Sequence, residues 1–219
     1  MLETKKRYLI LGASKGLGYQ TYKTLWRQRP QAEFLLVSRK IAETVIEDRT
    51  EVLQQDFSKL PVAENFLNTL HSFQPTHFIY CAGGGPYGFF QDQKLSAHEW
   101  ALNVNFIYPM ALLHALAQKP NGFAQLQAAV FVGSSIAESQ PDSKASSYCA
   151  AKHALKGWVT TLQKGNSLPF QVKLFSPGYM DTELLPPHSE PRKSGNVASV
   201  VNIAEELVSF IDSVKLNWP

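Results

Sequence analysis

Six short runs, apolar almost throughout, recur along the chain between longer stretches patterned as helices: Tyr8–Leu11, Phe34–Val37, Val52–Leu53, His77–Tyr80, Ala129–Val132 and Val172–Phe175. Strands separated by helices imply parallel crossovers, and strands without polar alternation are covered by helices on both faces. The fold class is therefore α/β, a doubly wound parallel sheet of about six strands. In such sheets ligands bind beyond the carboxyl ends of the strands.

The 219 residues, 44% hydrophobic and 18% charged, suffice for one sizeable core, so a single domain over residues 1–219 is expected. No apolar run approaches the ~18 residues of a membrane span, and a membrane partner is not expected. The net charge of +3 is spread along the sequence without a basic block, which argues against nucleic acid. Cys81 and Cys149 lack the spacing of a zinc or redox motif, and the six histidines form no HxH or HExxH pair, so no metal is expected. The apolar run before Gly12 is too brief for a signal-peptide core. These features suit a cytoplasmic protein with free thiols.

Helix limits follow from caps and breakers. Ser96 with Glu99 reads as a capping box opening a helix that runs towards Gln118, interrupted by Pro109. A second helix runs from Ser146 or Ser147 to about Lys164, and the last from about Val197 to Val214. Pro186–Pro191 reads as a mobile excursion.

The first run enters Gly12-Ala13-Ser14-Lys15-Gly16-Leu17-Gly18 and then a helical pattern. Glycine lets the chain turn tightly and admits a pyrophosphate to the backbone, while the helix amides and dipole favour its charge. After the second run stands Ser38-Arg39-Lys40, with no acid to bind a ribose 2′-hydroxyl. Arg39 offers a planar fork for a 2′-phosphate and Lys15 a second positive charge, so NADP(H) is expected over NAD(H).

Tyr148 and Lys152 lie four residues apart on one helix face. A free phenol has a pKa of ~10, and a neighbouring ammonium is expected to lower it, letting Tyr148 exchange a proton with a substrate oxygen. Ser135 follows the fifth strand, 13 residues before Tyr148, where its hydroxyl can hold a carbonyl beside the tyrosine.

These residues together resemble the short-chain dehydrogenase/reductase family, in its classical branch, over nearly the whole chain. The resemblance rests on Gly12, Gly16 and Gly18, then Asp56, Ala82-Gly83, Asn103-Val104-Asn105, Ser135, Tyr148 with Lys152, and Ser176-Pro177-Gly178 with Thr182. It implies a Rossmann-type sheet in the order 3-2-1-4-5-6 and a catalytic tetrad of Asn105, Ser135, Tyr148 and Lys152. It also implies cofactor contacts from Gly12, Ser14, Lys15, Gly16, Leu17, Gly18, Ser38, Arg39, Asp56, Phe57, Ala82, Gly83, Tyr148, Lys152, Pro177, Gly178 and Thr182. Ser135 is taken over Ser134 for its place before Ile136-Ala137-Glu138 and its spacing, and Asn105 over Asn103 as the last position of the family's motif.

The chain departs from the family at Leu11, where threonine is usual, and at Cys81, where asparagine is usual. Packing between Leu11 and Cys81 is expected to replace a polar tie. The sequence after the last helix leaves little room for the family's seventh strand, and a homodimer through the helices near residues 97–118 and 147–164 is expected. Tyr87, Phe89, Phe90 and Tyr179 suit either an aromatic-lined site or packing. The functional expectation is an NADP(H)-dependent oxidoreductase interconverting a carbonyl and an alcohol; the alternative is a non-catalytic dinucleotide-binding regulatory or scaffold protein.

Overall fold

The computed structural model describes residues 5–41, 44, 46–118, 123–165 and 167–214. Its sheet comprises β1 (Arg7–Leu11), β2 (Glu33–Ser38), β3 (Thr50–Gln54), β4 (His77–Tyr80), β5 (Ala128–Val132) and β6 (Gln171–Phe175). All neighbours are parallel and the order is β3-β2-β1-β4-β5-β6, as expected from the sequence. A seventh strand after the last helix would fall on residues 215–219, outside the described residues.

The two-residue period of a strand divides each apolar run between two cores. Leu9, Leu11, Leu35 and Val37 point to one face, where α2 (Glu64–Phe73), α4 (Tyr108–Ala117) and α6 (Ser146–Gly165) cover them. Tyr8, Ile10, Phe34 and Leu36 point to the other, beneath α1 (Gly16–Gln28) and α8 (Val200–Asp212). β3, at the sheet edge and built of Thr-Glu-Val-Leu-Gln, has no fully buried residue.

The two faces also decide the relation between Leu11 and Cys81. Leu11 belongs to the first core and Cys81 packs against the second, so their side chains do not replace a polar tie. The backbone makes the tie instead, the Cys81 amide donating to the Leu11 carbonyl at 2.8 Å.

Three local expectations are corrected. The helix expected from Ser96 begins earlier as α3 (Leu95–Leu102), with Lys94 at the cap, no side-chain cap bond, and Ser96 within the first turn. The interruption precedes Pro109: Asn103–Ile107 form a wide π turn ahead of α4. Proline has no N–H to donate to the carbonyl four residues back, that of Asn105, so the turn widens where the ladder loses a bond. Pro186–Pro191 leads into the short helix α7 (Glu190–Lys193), where Arg192 binds Asp181 and the carbonyls of Thr182 and Leu185. With the π turn included, the helical run Leu95–Ala117 reaches the length and mean hydropathy, 1.2, of a membrane span, contrary to the reading of short apolar runs. Its Tyr108, Leu112, Leu113 and Leu116 are buried in the first core.

His77, on β4, is 7% exposed and lies against Tyr8, their ring centroids 4.9 Å apart. Burial, with Lys6 and Arg29 nearby, pushes its pKa down to about 4. The unfolded chain then binds the extra proton between about pH 4 and the ordinary imidazole value, so stability rises with pH across that window. The shift corresponds to about 3 kcal/mol at most. Denaturant melts of the wild type should lose stability from pH 7 to pH 4.5, and His77→Phe should flatten the loss; parallel losses would contradict the assignment.

Candidate active site

At the carboxyl end of β1 the chain turns through Gly12, at φ +86°, and Gly16, at φ +59°, into α1. A Cβ on Gly12 would lie 2.4 Å from the Ala82 amide nitrogen, and one on Gly18 would lie 2.4 Å from the Gly12 carbonyl oxygen. The glycines bring backbone against backbone, clearing the space over the helix end. The 13-residue α1 has neither a side-chain cap nor an acid in its first turn. Its N-terminal dipole and amides favour an anion there.

The end of β2 supplies a second indication of a ligand. Ser38 is 5% exposed and its buried hydroxyl has no hydrogen-bond partner among the described residues. Beside it the exposed Arg39 guanidinium lies 5.2 Å from the centroid of the Trp100 ring. Asp56 accepts from the Ser58 amide at 2.9 Å and hydroxyl at 2.8 Å. Burial raises the Asp56 pKa, but these bonds together with Arg39 and Lys59 hold it below the ordinary value. Phe57 packs on Tyr80 and Tyr108, so its ring belongs to the core. Lys15 pairs with Glu183, both exposed, linking the glycine turn to the segment that follows β6. Thr182 in that segment stands over the turn, its Cγ2 3.7 Å from a Cβ built on Gly16. The glycine cradle, uncapped helix and orphaned Ser38 hydroxyl fit a dinucleotide.

The π turn carries Asn105 inward, fully buried. Its Nδ2 donates to the carbonyls of Gly84 at 2.6 Å and Ala101 at 2.7 Å, and its Oδ1 accepts from the Gly84 amide at 3.3 Å. A Cβ on Gly83 would lie 2.7 Å from Asn105 Oδ1 and 3.5 Å from Lys152 Nζ, so Ala82-Gly83 runs between these side chains. Lys152 is 4% exposed, donates to the Val132 carbonyl at 2.7 Å, and sits 5.6 Å from the Tyr148 ring centroid. Burial depresses its pKa to about 8.

The expectation that Lys152 lowers the Tyr148 pKa is not met. Burial dominates and pushes the phenol up to about 12, while a hydrogen bond with the Ser134 side chain acts in the opposite direction. The ammonium is directed to the Val132 carbonyl, away from a role in ionising the phenol.

Ser134 and Ser135 take different places beside the cavity. Ser134 caps α5 (Ser135–Ser139), its hydroxyl accepting from the Ala137 amide at 3.2 Å, and it lines the cavity with Tyr148. Ser135 donates its amide to the Pro177 carbonyl at 2.9 Å, and its hydroxyl lies 3.9 Å from a Cβ built on Gly178. Glu138, its side chain 5% exposed, braces this loop by accepting from the Ser134 amide at 3.2 Å and the Ser176 hydroxyl at 2.6 Å, and by pairing with Lys156 at 3.1 Å. The cavity itself, about 120 Å³, opens beside Tyr148 between the segments after β4, β5 and β6.

Sequence reasoning missed Ser134 facing Tyr148, the Glu138 brace, the stacking of Arg39 on Trp100, and Asp142 in the cavity wall. A signal for Glu138 existed: Ser135-Ile136-Ala137-Glu138 has the S-x-x-E spacing of a capping box, although the acid returns to the Ser134 amide.

Sequence and fold comparisons agree with the fold described above. The sequence profile described as short chain dehydrogenase matches residues 6–193. No curated protein matches the chain. Among solved structures it is similar to 4-hydroxyisoleucine dehydrogenase complexed with NADH, with TM-score 0.81 and 19% identity over 94% of this chain and 91% of that one. It is similar also to a short chain dehydrogenase family protein from Francisella tularensis subsp. tularensis SCHU S4, with TM-score 0.77 and 17% identity over 94% and 90%. A third, BdcA in complex with NADPH, has TM-score 0.76 and 16% identity over 93% and 85%.

Proposed function

The chain belongs to the short-chain dehydrogenase family, and on that premise we propose that it is an NADP(H)-dependent oxidoreductase that interconverts a carbonyl and an alcohol. The observation carrying this reading is the convergence of Asn105 and Lys152 at Gly83 and of Tyr148 at Gly85, beside a cavity, with Lys152 5.6 Å from the Tyr148 ring centroid. The bound dinucleotide supplies hydride chemistry at carbon. The chain's own residues bind it, orient the carbonyl and manage the proton.

Gly12, Gly16, Gly18 and the first amides of α1 hold the pyrophosphate. Ser38 and Arg39 hold the 2′-phosphate, and the absence of an acid directly after β2 supports NADP(H) over NAD(H). Tyr148 donates its proton to the carbonyl oxygen in the direction of reduction, since a phenol raised to about 12 stays protonated at neutral pH. Ser134, whose oxygen accepts from Ala137, retains its own hydrogen for the phenol or the substrate oxygen. Lys152 replenishes the proton through a water held at the Asn105 carbonyl, to which Pro109, four residues on, has no N–H to donate.

NADPH and NADH oxidation measured across aldehydes, ketones and quinones tests the proposal. The expected result is carbonyl-dependent turnover with a lower KM for NADPH, and a kcat loss of about 10²-fold in Ser134→Ala against a smaller loss in Ser135→Ala. A larger loss in Ser135→Ala would return the catalytic serine to the position the spacing favours. Failure to turn over any carbonyl with either dinucleotide would overturn the reading.

A further inference from the structure

The cavity beside Tyr148 is apolar over most of its wall, through Ile136, Ala137, Met180, Leu184 and Leu185. Into this wall the chain sets one formal charge among the described residues, Asp142. Asp142 Oδ2 accepts from the Tyr87 hydroxyl at 3.2 Å and its Oδ1 from the Lys144 amide at 2.8 Å. Neither bond neutralises the carboxylate. The nearest cation in sequence, the Lys144 ammonium, lies 5.5 Å from the centroid of the Phe89 ring, and no ion pair among the described residues includes Asp142. Asp142 is half-buried at the mouth of this apolar space, where its carboxylate is open to a cation carried by a ligand.

The surroundings of that carboxylate suit one kind of counter-ion. Tyr87 and Tyr179 line the same cavity, and the carboxylate acts on both phenols, helping to hold them above their ordinary pKa. Two tyrosine rings beside an unpaired carboxylate supply cation–π contact together with charge complementarity. No lysine, arginine or histidine lines the cavity among the described residues, so an anionic group would meet the carboxylate with no compensating charge.

We propose that the cavity selects carbonyl substrates carrying an ammonium group, which Asp142, Tyr87 and Tyr179 bind while the carbonyl lies at Tyr148. The proposal rests on the reductase reading for the chemistry and on the cavity wall alone for the selectivity. Ile136, Ala137 and the leucines bury the carbon chain between the two ends. The apolar chain contributes affinity, and the ammonium fixes which end faces the tyrosine.

A chain-length series of methyl ketones bearing a terminal trimethylammonium, its uncharged tert-butyl isostere, or a terminal carboxylate tests this with the unmodified protein. NADPH-dependent kcat/KM and calorimetric affinity for each ketone are both measured. The ammonium ketone of matching length should exceed its isostere about tenfold in both readouts, and the carboxylate should be poorest. The isosteric Asp142→Asn should bring the ammonium-to-isostere ratio close to unity. Asp142-dependent binding of the ammonium ketone without turnover of any ketone would sustain the selectivity and remove the reductase reading. Equal or tighter binding of the tert-butyl or carboxylate ketone, or an unchanged ratio in Asp142→Asn, would overturn the proposal whatever the turnover.

Discussion

Tyr148→Phe should lower kcat for carbonyl reduction by about 10³-fold, within the range of rate enhancement that a positioned general acid supplies. The substitution removes one oxygen and keeps the ring near the Lys152 ammonium, which lies 5.6 Å from its centroid. Lys152 retains its bond to the Val132 carbonyl, so the neighbouring structure has little reason to move. NADPH affinity should therefore change by no more than about fivefold, the size of one ordinary hydrogen bond. Steady-state kinetics beside a fluorescence titration of NADPH separates the two effects. A variant that keeps a tenth of the wild-type kcat would exclude Tyr148 as the proton donor.

Gly12→Val should be the most damaging single substitution in the cofactor turn. At φ +86° a side chain is strained whatever the space around it, and here its Cβ would lie 2.4 Å and 2.6 Å from the Ala82 nitrogen and Cα and 2.9 Å from the Cys81 carbonyl carbon. All three are backbone atoms at the end of β4, tied to β1 by the bond from the Cys81 amide to the Leu11 carbonyl. Relief requires separating the two central strands of the sheet. We expect a loss above ~3 kcal/mol, or failure to fold, since strain and steric overlap add at one buried site. Gly157→Ala is the control. It lies within α6 with nothing within 4 Å of the added methyl, and should stabilise by ~0.5–1 kcal/mol. Urea melts of the two variants should move in opposite directions, and comparable shifts in the same direction would contradict the account of the turn.

The fold was legible because parallel strands buried on both faces leave long apolar runs, and the helices between them leave room for crossovers. Within such a run the two-residue period places Leu9 and Ile10 in opposite cores of the structure. The site was legible where spacing is enough: Lys152 must lie one turn from Tyr148, and the glycines must open the end of α1. It was not legible where two adjacent residues are chemically alike. Spacing favours Ser135, yet the cap geometry of α5 directs the Ser134 hydroxyl to Ala137 and into the cavity. The direction of the Tyr148 pKa shift was misread because a pair in sequence fixes proximity and not burial, and here burial outweighs other influences on the phenol. Asp142 and Trp100 were hidden because Tyr87 and Arg39 reach them from segments distant in the chain.

Transfer of deuterium from NADPH labelled at the reactive nicotinamide carbon tests the central claim most directly. The protein is incubated with labelled cofactor and a ketone that it consumes, and the alcohol is analysed by mass spectrometry. The account predicts one deuterium at the carbinol carbon, with labelled product nearly absent for Tyr148→Phe. Binding of NADPH without label in any alcohol, across the whole carbonyl panel, would contradict it and leave a dinucleotide-binding protein without hydride chemistry.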